Sequence, residues 1–292
     1  MSFFVSMLGH LPRRWLKAGS RLQWRHPLFK RLFQFVAGQL RWQDGTIQQG
    51  VGRGLRFNPG GANAGYLLGT SEPPLQEALR RILSPGMCVY DVGANVGFIT
   101  VLAARLVGSA GRVVAFEPLA VNAEQIAHNV RLNDFAHVSV RREALGNQEG
   151  EVEFRVSAES TWGKLASTGP VSQETAIIRV PIRKCDTLVA RGEMPRPDLL
   201  KIDVEGAEID VLSGAVETLR NLRPLLFIEL HGTNAAIACL LSDLGYRAQV
   251  LGTRADILES PWYAQVFAWP AERTEAADLA EALTGVPDDA SG

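Results

Sequence analysis

Val89-Tyr90-Asp91-Val92-Gly93-Ala94-Asn95-Val96-Gly97 is a short apolar run that closes on two glycines, and Phe98–Val107 follows with a helical pattern. An apolar run without polar alternation reads as a strand buried on both faces, and the glycines as a tight turn into the helix. Gly93 and Gly97 let the backbone turn sharply and approach a ligand, while the helix beginning there presents unpaired N–H groups to the same point. The next apolar run, Arg112–Phe116, ends on Glu117-Pro118. Glu117 stands 20 residues beyond Gly97, where a carboxylate after the second strand can accept both hydroxyls of a ribose. Loop and carboxylate together predict an adenosine-containing cofactor.

Outward from this unit the alternation continues. Strands are expected at Met87–Asp91, Arg112–Phe116, Val138–Arg142, Leu199–Asp203 and Pro224–Leu230, and helices at Phe98–Val107, Val121–Leu132, Glu208–Leu219 and Ala235–Leu244. Apolar strands linked by helices form a parallel sheet covered on both faces. Two β-like runs, Val152–Val156 and Ile177–Ile182, interrupt the alternation around a polar loop containing Trp162. The last two extended runs, Tyr246–Leu251 and Ala264–Trp269, have no helix between them and read as an antiparallel pair at one sheet end. Upstream, residues 46–58 read as a small hairpin, followed by a Gly-rich loop to Gly69. After Ser71-Glu72-Pro73-Pro74 a helix places Leu75, Leu79, Ile82 and Leu83 on one face.

The dinucleotide fingerprint G-x-G-x-x-G carries a second glycine where this chain has Asn95, which weakens a pyrophosphate and hence the nicotinamide-dependent oxidoreductase alternative. Asp91, two residues before the first glycine, suits a cationic ligand, because a carboxylate at the loop mouth holds an α-amino group directly or through water. That chemistry points to S-adenosylmethionine.

Asp91-Val92-Gly93-Ala94-Asn95-Val96-Gly97, Phe116-Glu117-Pro118 with Asn122 and Asn129, Ala144-Leu145-Gly146, Lys201-Ile202-Asp203-Val204-Glu205-Gly206-Ala207-Glu208 and Ile228-Glu229-Leu230-His231 resemble the FkbM-type S-adenosylmethionine-dependent methyltransferases over about residues 66–250. The Lys201–Glu208 stretch is the most specific part. The resemblance implies a class I methyltransferase, Rossmann-like, mostly parallel seven-stranded sheet with a reversed terminal strand, and methylation of a hydroxyl on a sugar, glycan or secondary metabolite. It places Gly93, Ala94, Asn95 and Gly97 around the methionine portion, Glu117 on the ribose, and Glu143 and Ala144 beside adenine. The loop after Asp203 then covers the sulfonium side.

A hydroxyl is a poor nucleophile at neutral pH, so transfer calls for a base within hydrogen-bond reach as well as alignment. Asp203, Glu205 and His231 all follow strands on the cofactor side and are the catalytic candidates. His231 suits a base, and Asp203 a base, a positioner or a cation ligand. Two carboxylates and a His also suit a divalent cation, though their spacing does not require one. Structural readings stand beside these: Glu205 and Glu208 as helix-start charges, Lys201 as an ion-pair partner, His231 as a loop hydrogen-bonder.

The 292 residues carry 30 Lys+Arg and 31 Asp+Glu, a net charge of -1 that hides a division. Residues 1–43 hold eight basic and no acidic residues, leaving 22 basic and 31 acidic beyond them. Three domains follow: a basic, Trp-rich amphipathic extension over 1–44, the methyltransferase domain over 45–270 and an acidic tail over 271–292. The extension suits contact with an anionic membrane surface, or equally packing on the acidic body; nucleic acid fits poorly with that body. Three widely spaced cysteines argue against a disulfide framework, and no apolar run approaches the roughly 20 residues that cross a bilayer. A cytoplasmic enzyme is expected, peripheral to the inner membrane face if the extension binds lipid. The third class in view is a catalytically silent membrane-associated binding module.

Overall fold

The computed structural model describes residues 42–63, 65–157, 163–165 and 175–284. The basic segment 1–41, Trp162 and the chain after 284 lie outside the described residues, so the readings made for them rest on sequence.

The chain opens with a two-residue antiparallel ladder, β1 (Gly45–Thr46) on β2 (Arg56–Phe57), and a one-turn helix α1 (Gly65–Leu68) inside the stretch expected to be loop. Helix α2 (Pro73–Ile82) starts on two prolines, which lack the N–H that a first turn leaves unpaired, and buries Leu75, Ala78, Leu79 and Ile82. Then come β3 (Cys88–Val92), α3 (Phe98–Val107), β4 (Arg112–Phe116), α4 (Ala120–Arg131) and β5 (Val138–Arg141). After an insertion the alternation resumes with α5 (Cys185–Ala190), β10 (Leu199–Ile202), α6 (Glu208–Ser213), α7 (Val216–Leu222), β11 (Leu225–Glu229) and α8 (Asn234–Asp243). Strands β12 (Tyr246–Val250) and β13 (Gln265–Pro270) and helix α9 (Thr274–Leu283) complete the order.

The main sheet has seven strands in the order β12-β13-β11-β10-β3-β4-β5. All neighbours are parallel except β13, which runs antiparallel to both β11 and β12. The reversed strand is last in sequence but second from the edge in space, lying between β11 and β12. Alternate residues serve opposite faces: Val89 packs with Val101, Leu102, Leu79 and Phe267, while Tyr90 and Val92 pack with Phe116, Leu200 and Ile202 on the other side. Each such side chain removed from water contributes about 1.5 to 3 kcal/mol, which is what holds both helix layers on the sheet.

The interrupting runs form a smaller four-stranded sheet, order β6-β9-β7-β8, from β6 (Ala144–Leu145), β7 (Gly150–Ser157), β8 (Gly163–Leu165) and β9 (Thr175–Arg183). Its β7–β9 pair is antiparallel over eight residues of β7, and Phe154 faces Val180 and Ile182 in a separate apolar cluster.

One expected element divides. The helix read as Glu208–Leu219 is broken between α6 and α7 at Gly214, where a Cβ would lie 1.8 Å from the carbonyl oxygen of Gly146. Backbone approaches backbone there, and a straight helix with side chains cannot pass. In the acidic stretch beyond 270, α9 buries Ala276, Ala280 and Leu283 in the main core, so its acidic residues occupy one face of a packed helix.

Candidate active site

Chain order runs outward from β3 through β4 to β5 on one side and resumes at β10 on the other. The crevice beyond the carboxyl ends of β3 and β10 is therefore the topological switch point, the usual ligand position in open α/β sheets. Gly93 sits on its floor at φ 77, and a Cβ there would lie 1.8 Å from the Asp203 carbonyl oxygen. Only glycine allows the loop after β3 and the loop after β10 to touch.

Asn95 follows in left-handed geometry at φ 51, and its N–H donates to Glu117 Oε2 at 2.9 Å. Glu117 Oε1 accepts the N–H of Leu119 at 2.9 Å, so one buried carboxylate ties the loop after β3 to that after β4. Burial pushes the Glu117 pKa up to about 7 against the pull of these hydrogen bonds. Gly93, Asn95, Glu117, Glu143 and Ala144 line one cavity together with Asp203 and Glu205. Asn95 Oδ1 is buried in that wall and accepts no hydrogen bond among the described residues, an acceptor suited to the amino end of a bound cofactor. The residues present thus fit S-adenosylmethionine.

Three predicted contacts sit elsewhere. Ala94 packs beneath the loop on Ala115 and Ile126, and Gly97 begins α3 at φ 85, facing Ile126. Asp91 does not reach the cavity: it is wholly buried, accepts the Thr100 hydroxyl at 2.6 Å and stands 3.7 Å from Lys201 Nζ. Its place on β3, one residue before the strand's end, turns it under the loop, beside Lys201.

Lys201 is 5% exposed and donates to Asp203 Oδ2 at 3.1 Å. Burial alone would lower its pKa, but Asp203, Asp91, Glu72 and Glu229 outweigh that and raise it, so it stays charged. Asp203 Oδ1 lies 3.9 Å from His231 Nε2, and Glu205 Oε2 lies 3.6 Å from the same nitrogen. The structure thus gathers the three catalytic candidates, although only Asp203 and Glu205 line the cofactor cavity. His231 stands behind them, its other nitrogen 2.9 Å from Glu208 Oε1. Burial by itself lowers the His231 pKa; the Glu208 bond and the charges of Glu205, Glu208 and Asp203 reverse this and bring it to about 9. A raised pKa favours the protonated ring in the unliganded protein.

Atoms of Asp203, Glu205 and His231 lie within 4.8 Å of one another, so they could hold a divalent cation. Three further residues, which the sequence reading assigned no role, join the cluster. Gln265 Nε2 donates to both Glu72 Oε2 and Glu229 Oε2 at 3.2 Å, bridging α2 to β11. Glu72 precedes α2 in left-handed geometry without capping it, and burial with the charges of Glu229 and Asp203 lifts its pKa to about 7 despite Lys201. Glu229 lay inside a quoted motif and ends β11, which is a usable signal. For Glu72 and Gln265, 193 residues apart, the sequence carries none.

A seven-stranded sheet with one reversed strand, and a glycine loop facing a ribose-type carboxylate at its switch point, define the class I methyltransferase fold that uses S-adenosylmethionine. The chain belongs to the methyltransferase FkbM domain family, whose model matches residues 91–248. This decides the cofactor against a nicotinamide. Among curated relatives, the hexuronic acid methyltransferase AglP of Haloferax volcanii is 29% identical over 147 residues, 49% of this chain and 55% of that protein. Methyltransferase 1 of Beauveria bassiana is 27% identical over 184 residues, 56% of this chain and 73% of that one. The chain spans about half the length of the first of these relatives. The crystal structure of methyltransferase FkbM from Methylobacillus flagellatus KT aligns with TM-score 0.45 and 18% identity over 64% of this chain and 44% of its own. Among the described residues no helix is long and apolar enough to cross a membrane.

Proposed function

We propose that the chain transfers the methyl group of S-adenosylmethionine to a hydroxyl of a sugar, glycan or hydroxylated secondary metabolite. One observation carries this reading: Asp203 lines the cofactor cavity with Glu205 and opens onto a group of polar side chains, His231 and Glu229, beyond it. The cofactor supplies an electrophilic methyl carbon whose departing group is a neutral thioether. Gly93, Asn95 and Glu117 hold it at the switch point, with Glu143 and Ala144 beside its base.

Asp203 then stands where the acceptor oxygen must arrive. As the new O–CH₃ bond forms and the C–S bond breaks, the hydroxyl proton passes to a carboxylate oxygen of Asp203, whose second oxygen is held by Lys201. Glu205 and His231 orient the acceptor or, in a second reading favoured by their mutual distances, join Asp203 in holding a divalent cation against its oxygens. The carbohydrate acceptor named for the Haloferax volcanii relative supports the sugar class.

The test is incubation of the full-length protein with tritium-labelled S-adenosylmethionine and an extract of glycans and metabolites from the source cells. A labelled product one methylene heavier than its precursor is expected. Failure of calorimetry to detect S-adenosylhomocysteine binding sinks the reading. Repeating the transfer after chelation with EDTA, and again with magnesium restored, separates the two roles of the Asp203 group. A silent binding module instead predicts that D203A and H231A leave the biological effect intact. For residues 1–43 we propose peripheral contact with anionic lipid; co-sedimentation of the full chain with phosphatidylserine vesicles, but not neutral ones, is the outcome expected.

A further inference from the structure

Glu208 reads in sequence as a charge in the first turn of a helix. Its side chain is 0% exposed, so it cannot serve as a solvated partner of the helix dipole. A carboxylate withdrawn from water costs several kcal/mol unless its lone pairs are met. Here they are met three times. Oε1 accepts the N–H of Gly206 at 2.8 Å and the Nδ1 side of His231 at 2.9 Å, and Oε2 accepts the hydroxyl of Thr233 at 2.9 Å. Two of these donors come from the loop after β11, whereas Glu208 belongs to the loop and helix after β10.

A carboxylate only accepts, so Nδ1 of His231 must carry a hydrogen. That fixes the other nitrogen, Nε2, toward Glu205 and Asp203 at 3.6 and 3.9 Å. We infer that Glu208, braced by Thr233, is the positioning residue of His231: it holds the ring by its Nδ1–H and aims Nε2 at the Asp203–Glu205 side of the cleft. The inference rests on the methyltransferase reading for its kinetic consequence, but the geometry it asserts is independent of it. A buried acid behind an imidazole is the arrangement by which proteins hold a working histidine in one orientation, whether that ring meets a substrate or a metal.

Glu208→Gln is the decisive variant. Its amide oxygen still accepts from Gly206 and His231, and its NH₂ still reaches Thr233 Oγ1, so the shape survives while the charge is lost. In the full-length protein the imidazole ¹⁵N–¹H spectrum is expected to show a strongly downfield Nδ1–H resonance for His231. It should move upfield in E208Q and vanish in E208A.

With the acceptor found by labelled transfer, E208Q should lower kcat about 10- to 100-fold, while the KM for S-adenosylmethionine and the affinity for S-adenosylhomocysteine stay near wild type. E208D should recover part of the rate, and the double variant E208Q/H231Q should be no slower than H231Q alone. Wild-type kcat in E208Q, multiplicative losses in the double variant, or absence of the downfield resonance from the wild type would each overturn the assignment. Should the wild type transfer no label, the methyltransferase reading fails, and the resonance still decides the positioning.

Discussion

The cofactor side and the acceptor side of this cleft are built in different ways. Gly93, Asn95 and Glu117 fall within a single β–loop–α–β unit and its exit, and their hydrogen bonds are mostly to its own backbone: the N–H groups of Asn95 and Leu119, the carbonyl of Phe116. On the other side Glu72, Lys201, Asp203, Glu208, Glu229, His231 and Gln265 come from the ends of three strands and the starts of α2 and α6, and their contacts are mostly with one another's side chains. One side is a local motif bent around a ligand; the other is an electrostatic assembly that exists only when the sheet has formed. Local motifs should tolerate side-chain changes elsewhere, whereas the assembly should respond as a unit.

The largest expected effect attacks the acceptor side alone. Asp203→Asn should cut labelled methyl transfer by about 10²- to 10⁴-fold and leave S-adenosylhomocysteine affinity near wild type by calorimetry. An equal loss of affinity would mean the two sides are one site. Gly93→Ala strikes the seam between them. A Cβ in left-handed geometry and in collision with the Asp203 carbonyl should cost about 2 to 5 kcal/mol in urea unfolding and disable both sides at once.

Glu117→Gln should weaken S-adenosylmethionine binding by roughly 10- to 100-fold, as expected for loss of charge-assisted hydrogen bonds, without altering the His231 resonance. Because the Glu117 pKa stands at about 7, wild-type affinity should also fall as pH drops below that value, and the variant should be flat there.

The smallest effect is on stability. The folded-state pKa of Glu72 is raised from 4.5 to about 7, so the fold favours its protonated form. Its contribution is present in full below about 4.5 and is lost as pH rises through about 7. Glu72→Gln should therefore flatten thermal stability over that window and exceed wild type above it, by on the order of 1 to 2 kcal/mol after allowance for partial exposure. A wild-type stability that rises across the same window would show that the pair bridged by Gln265 is not strained by charge.

The helix Phe98–Val107 and the strand Arg112–Phe116 were legible to the residue, because apolar periodicity and flanking glycines act over a few positions. The place of Glu117 against the glycine loop was legible for the same reason, since it depends on a distance along the chain. Asp91 was misread. Its spacing before Gly93 is that of a ligand contact, yet a strand side chain points to one face or the other, and this one points inward to Thr100 and Lys201. The break at Gly214 was hidden too, since the obstacle, the carbonyl of Gly146, lies 68 positions earlier in the chain.

Sequence alone determined the class of fold, the family and the cofactor, because each rests on patterns confined to one strand, one turn or one motif. Tertiary structure decided which titratable groups meet. It buried Glu208 against His231, drew Glu72 and Glu229 onto Gln265, and placed Lys201 between Asp91 and Asp203. The physical reason is that the cost of a buried charge depends on what packs around it, and those neighbours arrive from elements far apart in the chain only once the sheet has brought their strand ends together.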